Sequence, residues 1–119
     1  MKKRENIQHK RCVQGVINKT KTTHNCLREQ AINVSGDYHF LDVIGHPHKD
    51  KEEFFKPFVA ECETNMNTAQ ARSNKLDMLE WKKRYPEGEI FQISTEDEFD
   101  ASKLNKKPKN TFNAGGFKK

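Results

Sequence analysis

The segment Phe58-Val59-Ala60-Glu61-Cys62-Glu63-Thr64 decides how this chain is read. Successive side chains of an extended backbone point to opposite faces. Phe58, Ala60 and Cys62 therefore share one face, and Val59, Glu61 and Glu63 share the other. Two carboxylates on one face of an apolar strand need an explanation. Upstream, Tyr38-His39-Phe40-Leu41-Asp42-Val43-Ile44-Gly45 is the clearest strand, dominated by β-branched and aromatic residues. Gly45 is read as its end, and a single carboxylate, Asp42, interrupts its apolar run.

Working outward, Asn33-Val34-Ser35-Gly36-Asp37 reads as a turn, which makes residues 22–32 a preceding strand, although Leu27 to Ala31 would also suit a helix. Val13, Val16, Ile17 and Thr20 fall on one helical stripe and predict a first helix over residues 5–18, with Gly15 weakening it. A polar connector, residues 46–53, follows the clearest strand. Thr68 as N-cap and Pro86 as stop bound a helix over 68–85. That helix is apolar on two faces: Ala69, Leu76 and Leu79 on one, and Ala71, Met78, Trp81 and Tyr85 on the other. Both need cover. One packs on a sheet; the second packs under Phe99, Leu104 and Phe112 or against a second subunit, the intramolecular cover being preferred. Glu87-Gly88 turns the chain into a last strand, residues 89–94, and Glu96-Asp97-Glu98-Phe99 starts a short C-terminal helix. The order helix, strand, strand, strand, helix, strand predicts a single small domain of α/β class.

The chain has 119 residues, with 22 Lys and Arg against 17 Asp and Glu, a net charge of +5. That length allows one small domain; residues 1–100 are expected to form it, with 101–119 as a basic, irregular tail. The charge is uneven. Residues 1–21 carry seven basic groups and one acid, residues 103–119 six Lys and no acid, and residues 22–102 nine basic groups and 16 acids. Basic ends around an acidic centre suit a protein that holds phosphates with its ends and a cation with its middle. The plainer reading of the tail is a solvated run that keeps a small protein soluble.

Several classes are excluded. No apolar run spans a membrane, and Met1-Lys2-Lys3-Arg4-Glu5-Asn6 leads into polar residues, so no secretory signal is expected. Cys12, Cys26 and Cys62 form an odd set without a CxxC pair, so neither a disulfide framework nor a zinc finger is expected, and the expected compartment is the reducing cytoplasm. No phosphate-binding GxxxxGK[ST], dinucleotide GxGxxG or hydrolase GxSxG motif occurs.

The chemistry concentrates on the acids in the strands. Asp42 lies 19 residues before Glu61, and a hairpin-like pairing brings the two to one position, with Glu63 on the same face. Three carboxylates at one spot repel unless a cation lies among them. Mg²⁺ takes oxygen ligands and keeps several waters, and such a cation activates water and stabilises a phosphoryl transition state.

Leu41-Asp42 followed by Glu61-Cys62-Glu63 resembles the PD-(D/E)XK nuclease superfamily, over roughly residues 1 to 94. The resemblance implies a restriction-endonuclease-like αβββαβ core with a mixed sheet, and metal-dependent hydrolysis of phosphodiester bonds in DNA. It makes Asp42 and Glu61 the ligands of Mg²⁺ or Mn²⁺, with the carbonyl of Cys62 as a further donor. Leu41 stands where the family has proline, and Glu63 where it has the lysine that orients the attacking water. A few members carry E-x-E there; Lys75 on the following helix is the alternative ammonium. Gln70 matches a polar site residue at the start of that helix, and Glu5 the extra acid of junction-resolving members. Lys2, Lys3 and Arg4, with Lys106, Lys107 and Lys109, are expected to contact backbone phosphates without reading bases. Small relatives often dimerise, so a homodimer is a further expectation.

Other readings stay open. A nucleic-acid-binding protein on the same fold that does not cut is motivated by the missing lysine. A protein-interaction module would use the two-faced helix 68–85. His46-Pro47-His48 with Tyr85 superficially resembles the HUH replication nucleases, but Pro47 cannot join a sheet ladder. A zinc site from His46, His48 and Cys62 has no ligand spacing behind it, and the histidines read as loop residues.

Overall fold

The structure, a computed structural model, describes residues 7–106. Glu5, Lys2, Lys3, Arg4, Lys107, Lys109 and Phe112 lie outside the described residues. Helix α1 (Ile7–Thr20) places Val13, Val16 and Thr20 on a buried stripe, the stripe that the apolar spacing predicts. Strands β1 (His24–Val34) and β2 (Asp37–Pro47) form a long antiparallel hairpin, closed by Ser35 at φ 54° and Gly36 at φ 91°. Two consecutive positive φ values are what a type I′ turn requires, and that turn matches the twist of the strands it joins. Strand β3 (Phe58–Glu63) is buried along its whole length. Helix α2 (Ala69–Arg84) starts at the Thr68 N-cap, whose hydroxyl accepts from the Ala71 N–H at 3.0 Å, and crosses over to strand β4 (Glu89–Ser94), parallel to β3.

The order is αβββαβ, and the sheet runs β1-β2-β3-β4 with antiparallel and parallel neighbours. The chain is thus a single small α/β domain with a helix on each face of a mixed sheet. On one face Val13 and Val16 of α1 pack on Val43, Phe58, Ala60 and Ile93. On the other, Met78 and Trp81 of α2 pack on Ile32, Leu41, Ile44 and Val59. Alternation along β3 sorts Phe58 and Ala60 to the first layer and Val59 to the second. Among the described residues no helix is long and apolar enough to cross a membrane.

Five local expectations are corrected. Gly45 does not end β2: it lies inside the strand, where a Cβ would run into the Phe58 ring, so only glycine fits beneath that ring. His46 and Pro47 are strand residues rather than connector, Pro47 sitting opposite His24 at the last position of β2, where the missing N–H costs little. Among the described residues nothing covers the second apolar face of α2, where Leu76 is 66% exposed and Leu79 40%. Phe99 and Leu104 join the α1 layer instead. No helix starts at Glu96; a 3-10 segment, Ala101–Leu104, starts after Asp100, whose carboxylate accepts from the Ser102 N–H. It carries Leu104 into the core, and Asn105 bridges to Phe55. Finally, Cys12 and Cys62 form a disulfide between α1 and β3, against the expectation of none, and leave Cys26 free.

Candidate functional site

The ladder between β2 and β3 is short. It pairs Val43, Ile44 and Gly45 with Ala60, Val59 and Phe58, and stops there. Beyond it, β2 continues with β1 alone and β3 with β4 alone. Such an opening leaves backbone N–H groups in need of acceptors. Asp42 and Glu61, the next residues on the two strands, supply them. The Asp42 N–H donates to Glu61 Oε2 at 2.9 Å, and the Cys62 N–H donates to Asp42 Oδ2 at 2.9 Å. Strand parity slips at the same place: Leu41 and Ile44 face α2, whereas Val43 faces α1. Across from Asp42 on β1, Glu29 takes φ 52°, a left-handed conformation costly for a residue with a Cβ. Strain of this kind concentrates where a site is held open.

His9 of α1 donates from Nε2 to Asp42 Oδ2 at 3.0 Å. Glu61 is 3% exposed. Burial first, then the charge of Asp42, pushes its carboxyl up to about 9, against the opposing pull of the Asp42 N–H; Glu63 adds to the rise, and the two carboxyls share a side-chain hydrogen bond. At neutral pH Glu61 therefore keeps a proton next to Asp42. Glu63 is also buried, but its Oε2 accepts from Asn74 Nδ2 at 2.9 Å and Gln92 Nε2 at 3.0 Å. Gln92 donates in addition to the Ala71 carbonyl at 2.6 Å.

The structure thus brings Asp42 and Glu61 together and sets Glu63 beside them, tied to two amides. Gln70 is exposed and reaches the group only through Asn74, to which it donates at 2.9 Å. Lys75 is exposed and, among the described residues, makes no hydrogen bond or ion pair with the three acids. Lys106 lies at the end of the sheet where β3 and β4 begin, held by the Glu52 carbonyl and the Glu87 carboxylate. Among the described residues, no group of three or more His, Cys, Asp or Glu side chains stands in a metal-holding arrangement.

Three participants escape the sequence reading: His9, Asn74 and Gln92. Each carries a faint signal. His9 lies one turn before Val13 on the buried stripe of α1; Asn74 lies between Ala71 and Met78 on that of α2; Gln92 shares a face with Ile90 on β4. The zinc reading fails, because Cys62 is bonded to Cys12. His46 and Tyr85 do meet, edge to face at 4.9 Å, while His48 turns away to the Lys21 carbonyl. Beside Asp42, α1 and β1 enclose an open cleft lined by Lys10, Arg11, Gln14, Arg28 and Glu29. No protein-family model, curated protein or solved structure matches this chain.

Proposed function

We propose that this protein is a metal-dependent nuclease that hydrolyses phosphodiester bonds in DNA, with Asp42 and Glu61 holding Mg²⁺ or Mn²⁺. The observation that carries the reading is the meeting of the Asp42 and Glu61 carboxyls at the point where β2 and β3 part. Two carboxyls meet where two strands part, one of them buried, with no Lys or Arg among the described residues bonded to either. A divalent cation bound between them would neutralise the pair. The donors are oxygens, which suits a hard cation that keeps waters to complete its shell. Bound there, the metal would supply an activated water and offset the charge that builds on the phosphate.

The chain's own residues orient both ligands beforehand. Asp42 is fixed by the Cys62 N–H and by His9, and Glu61 by the Asp42 N–H. Glu63, held by Asn74 and Gln92, adds negative charge that favours a cation in the opening. Hydrolysis adds water across a P–O bond: the water oxygen bonds to phosphorus, and the departing oxygen takes up a proton. The αβββαβ order, with Asp42 on the second strand and Glu61 on the third, supports the restriction-endonuclease-like reading.

A second reading has its own observation. Among the described residues Glu63 is bonded by two amides and by no ammonium, where a lysine would orient the water, and this favours a protein that binds nucleic acid without cutting it. One experiment separates the two. The protein is incubated with linear, circular, single-stranded and branched DNA in Mg²⁺, in Mn²⁺ and in EDTA, beside Asp42→Asn and Glu61→Gln. Cutting that needs both the metal and both carboxylates supports the nuclease. Binding without cutting in every metal sinks it and leaves the silent binder.

A further inference from the structure

We infer that the β1–β2 hairpin and the cleft beside it form a track for single-stranded nucleic acid that leads to Asp42. Tyr38 and Phe40 are 70% and 64% exposed. His39 bonds Asp77 of α2, and Leu41 packs under Met78 and Trp81, so both look toward α2. Their neighbours Tyr38 and Phe40 therefore present their rings on the opposite face, the side of α1. Alternate residues of a strand stand about 7 Å apart, so the two rings and Asp42 follow one another along one edge of the hairpin.

The surroundings identify the occupant. A protein-binding patch would continue in apolar side chains, but the cross-strand partners of Phe40 and Tyr38 are Ala31 and Asn33. On the other side of Asp42 lies the cleft of Lys10, Arg11 and Arg28, three cations against the single acid Glu29. Exposed rings in line with a cationic groove are the combination that holds single strands: bases stack on the rings while the groove follows the phosphates. A duplex offers the groove its phosphates but hides its base faces within the stack. The track names the substrate class of the proposed nuclease, and rests on that reading only for Asp42 and Glu61 as its destination.

The test is binding in EDTA, read by fluorescence anisotropy, with labelled oligothymidylate, oligouridylate and a DNA duplex. The wild type should bind a single strand at least tenfold more tightly than the duplex, whether DNA or RNA is preferred. Tyr38→Ala/Phe40→Ala should weaken single-strand binding roughly tenfold per ring and leave duplex binding unchanged. Arg28→Ala should lower the salt slope of binding by about one. Both rings are exposed, so the double variant should melt like the wild type. Equal affinity for duplex and single strand overturns the inference, as does a double variant that binds as well as wild type. A dimer in light scattering that the double variant dissolves also overturns it, by making the patch a self-association surface. Binding as predicted, without cutting in Mg²⁺ or Mn²⁺, would sink the nuclease reading alone.

Discussion

The Asp42 N–H donates to Glu61 Oε2 at 2.9 Å, and Asp42 Oδ2 accepts from the N–H of Cys62, the residue after Glu61, at 2.9 Å. The two acids thus replace the ladder bonds that β2 and β3 lose where they part. The same arrangement confines two carboxyls at one place.

Glu61→Gln should stabilise the protein in EDTA. The Glu61 carboxyl rises from 4.5 to about 9 on folding. A raised acid binds a proton in the folded state that the unfolded chain releases, so its adverse effect is absent below pH 4.5 and grows as pH rises toward 9. A glutamine keeps an oxygen for the Asp42 N–H and has nothing to titrate. Denaturant melts in EDTA should show a gain over wild type that is larger at pH 8 than at pH 5; an equal gain at both would contradict the shift.

Reduction of Cys12–Cys62 should cost stability. The bond closes a loop with a sequence separation of 50, for which chain entropy gives about 4 kcal/mol. A reductant should lower the denaturant midpoint, and Cys12→Ser should reproduce the effect and abolish any further response to reductant. Because Cys62 also donates its N–H to Asp42, reduction is expected to loosen the opening at the site before the rest of the fold.

Acid should destabilise the fold through His24. It is buried, with Nε2 donating to the Lys56 carbonyl at 2.7 Å and Nδ1 against the Thr23 hydroxyl at 2.7 Å. Desolvation leads in lowering its pKa from 6.5, with the charges of His48 and His46 adding to it and the Lys56 carbonyl opposing it. The unfolded chain then takes up a proton that the fold refuses, so stability present above pH 6.5 is lost as pH falls below it. This runs opposite to Glu61 in the same range. The His24 ring should therefore stay neutral, by NMR titration, at pH 6.5, where an imidazole in the unfolded chain is half protonated.

Gly45→Ala should destabilise by roughly 1–3 kcal/mol, the cost of overpacking a filled core. The added methyl meets the Phe58 ring, not backbone strain. Phe58→Leu in the same chain should recover part of the loss, as a double-mutant cycle would read. No recovery would place the cost in the strand itself.

Periodicity is local, and what rests on it was legible. The Val13, Val16 and Thr20 stripe, the alternation along residues 58–63 and the Thr68 cap depend only on neighbours in sequence. The strand 24–34 was ambiguous because propensity there is weak; its long pairing with β2 settles it. Phe99 and Leu104 pack in the α1 layer and not on the exposed face of α2, because apolar spacing says which residues align, not what lies opposite them. The odd cysteine count argued against a disulfide, yet burial of both α1 and β3 in one layer brings Cys12 to Cys62.

The sequence by itself determined the order of elements, the two layers of apolar side chains and the presence of acids within the most apolar strands. All three follow from side-chain chemistry repeated at helical or strand spacing. Only the tertiary structure decided where the β2–β3 ladder ends, and so that Asp42 and Glu61 cap each other's strands there. It alone brought His9 to Asp42 across 33 positions, Asn74 to Glu63 across 11 and Gln92 to Glu63 across 29. Such contacts depend on how strands diverge and how helices cross a sheet, and no local pattern of residues carries that information.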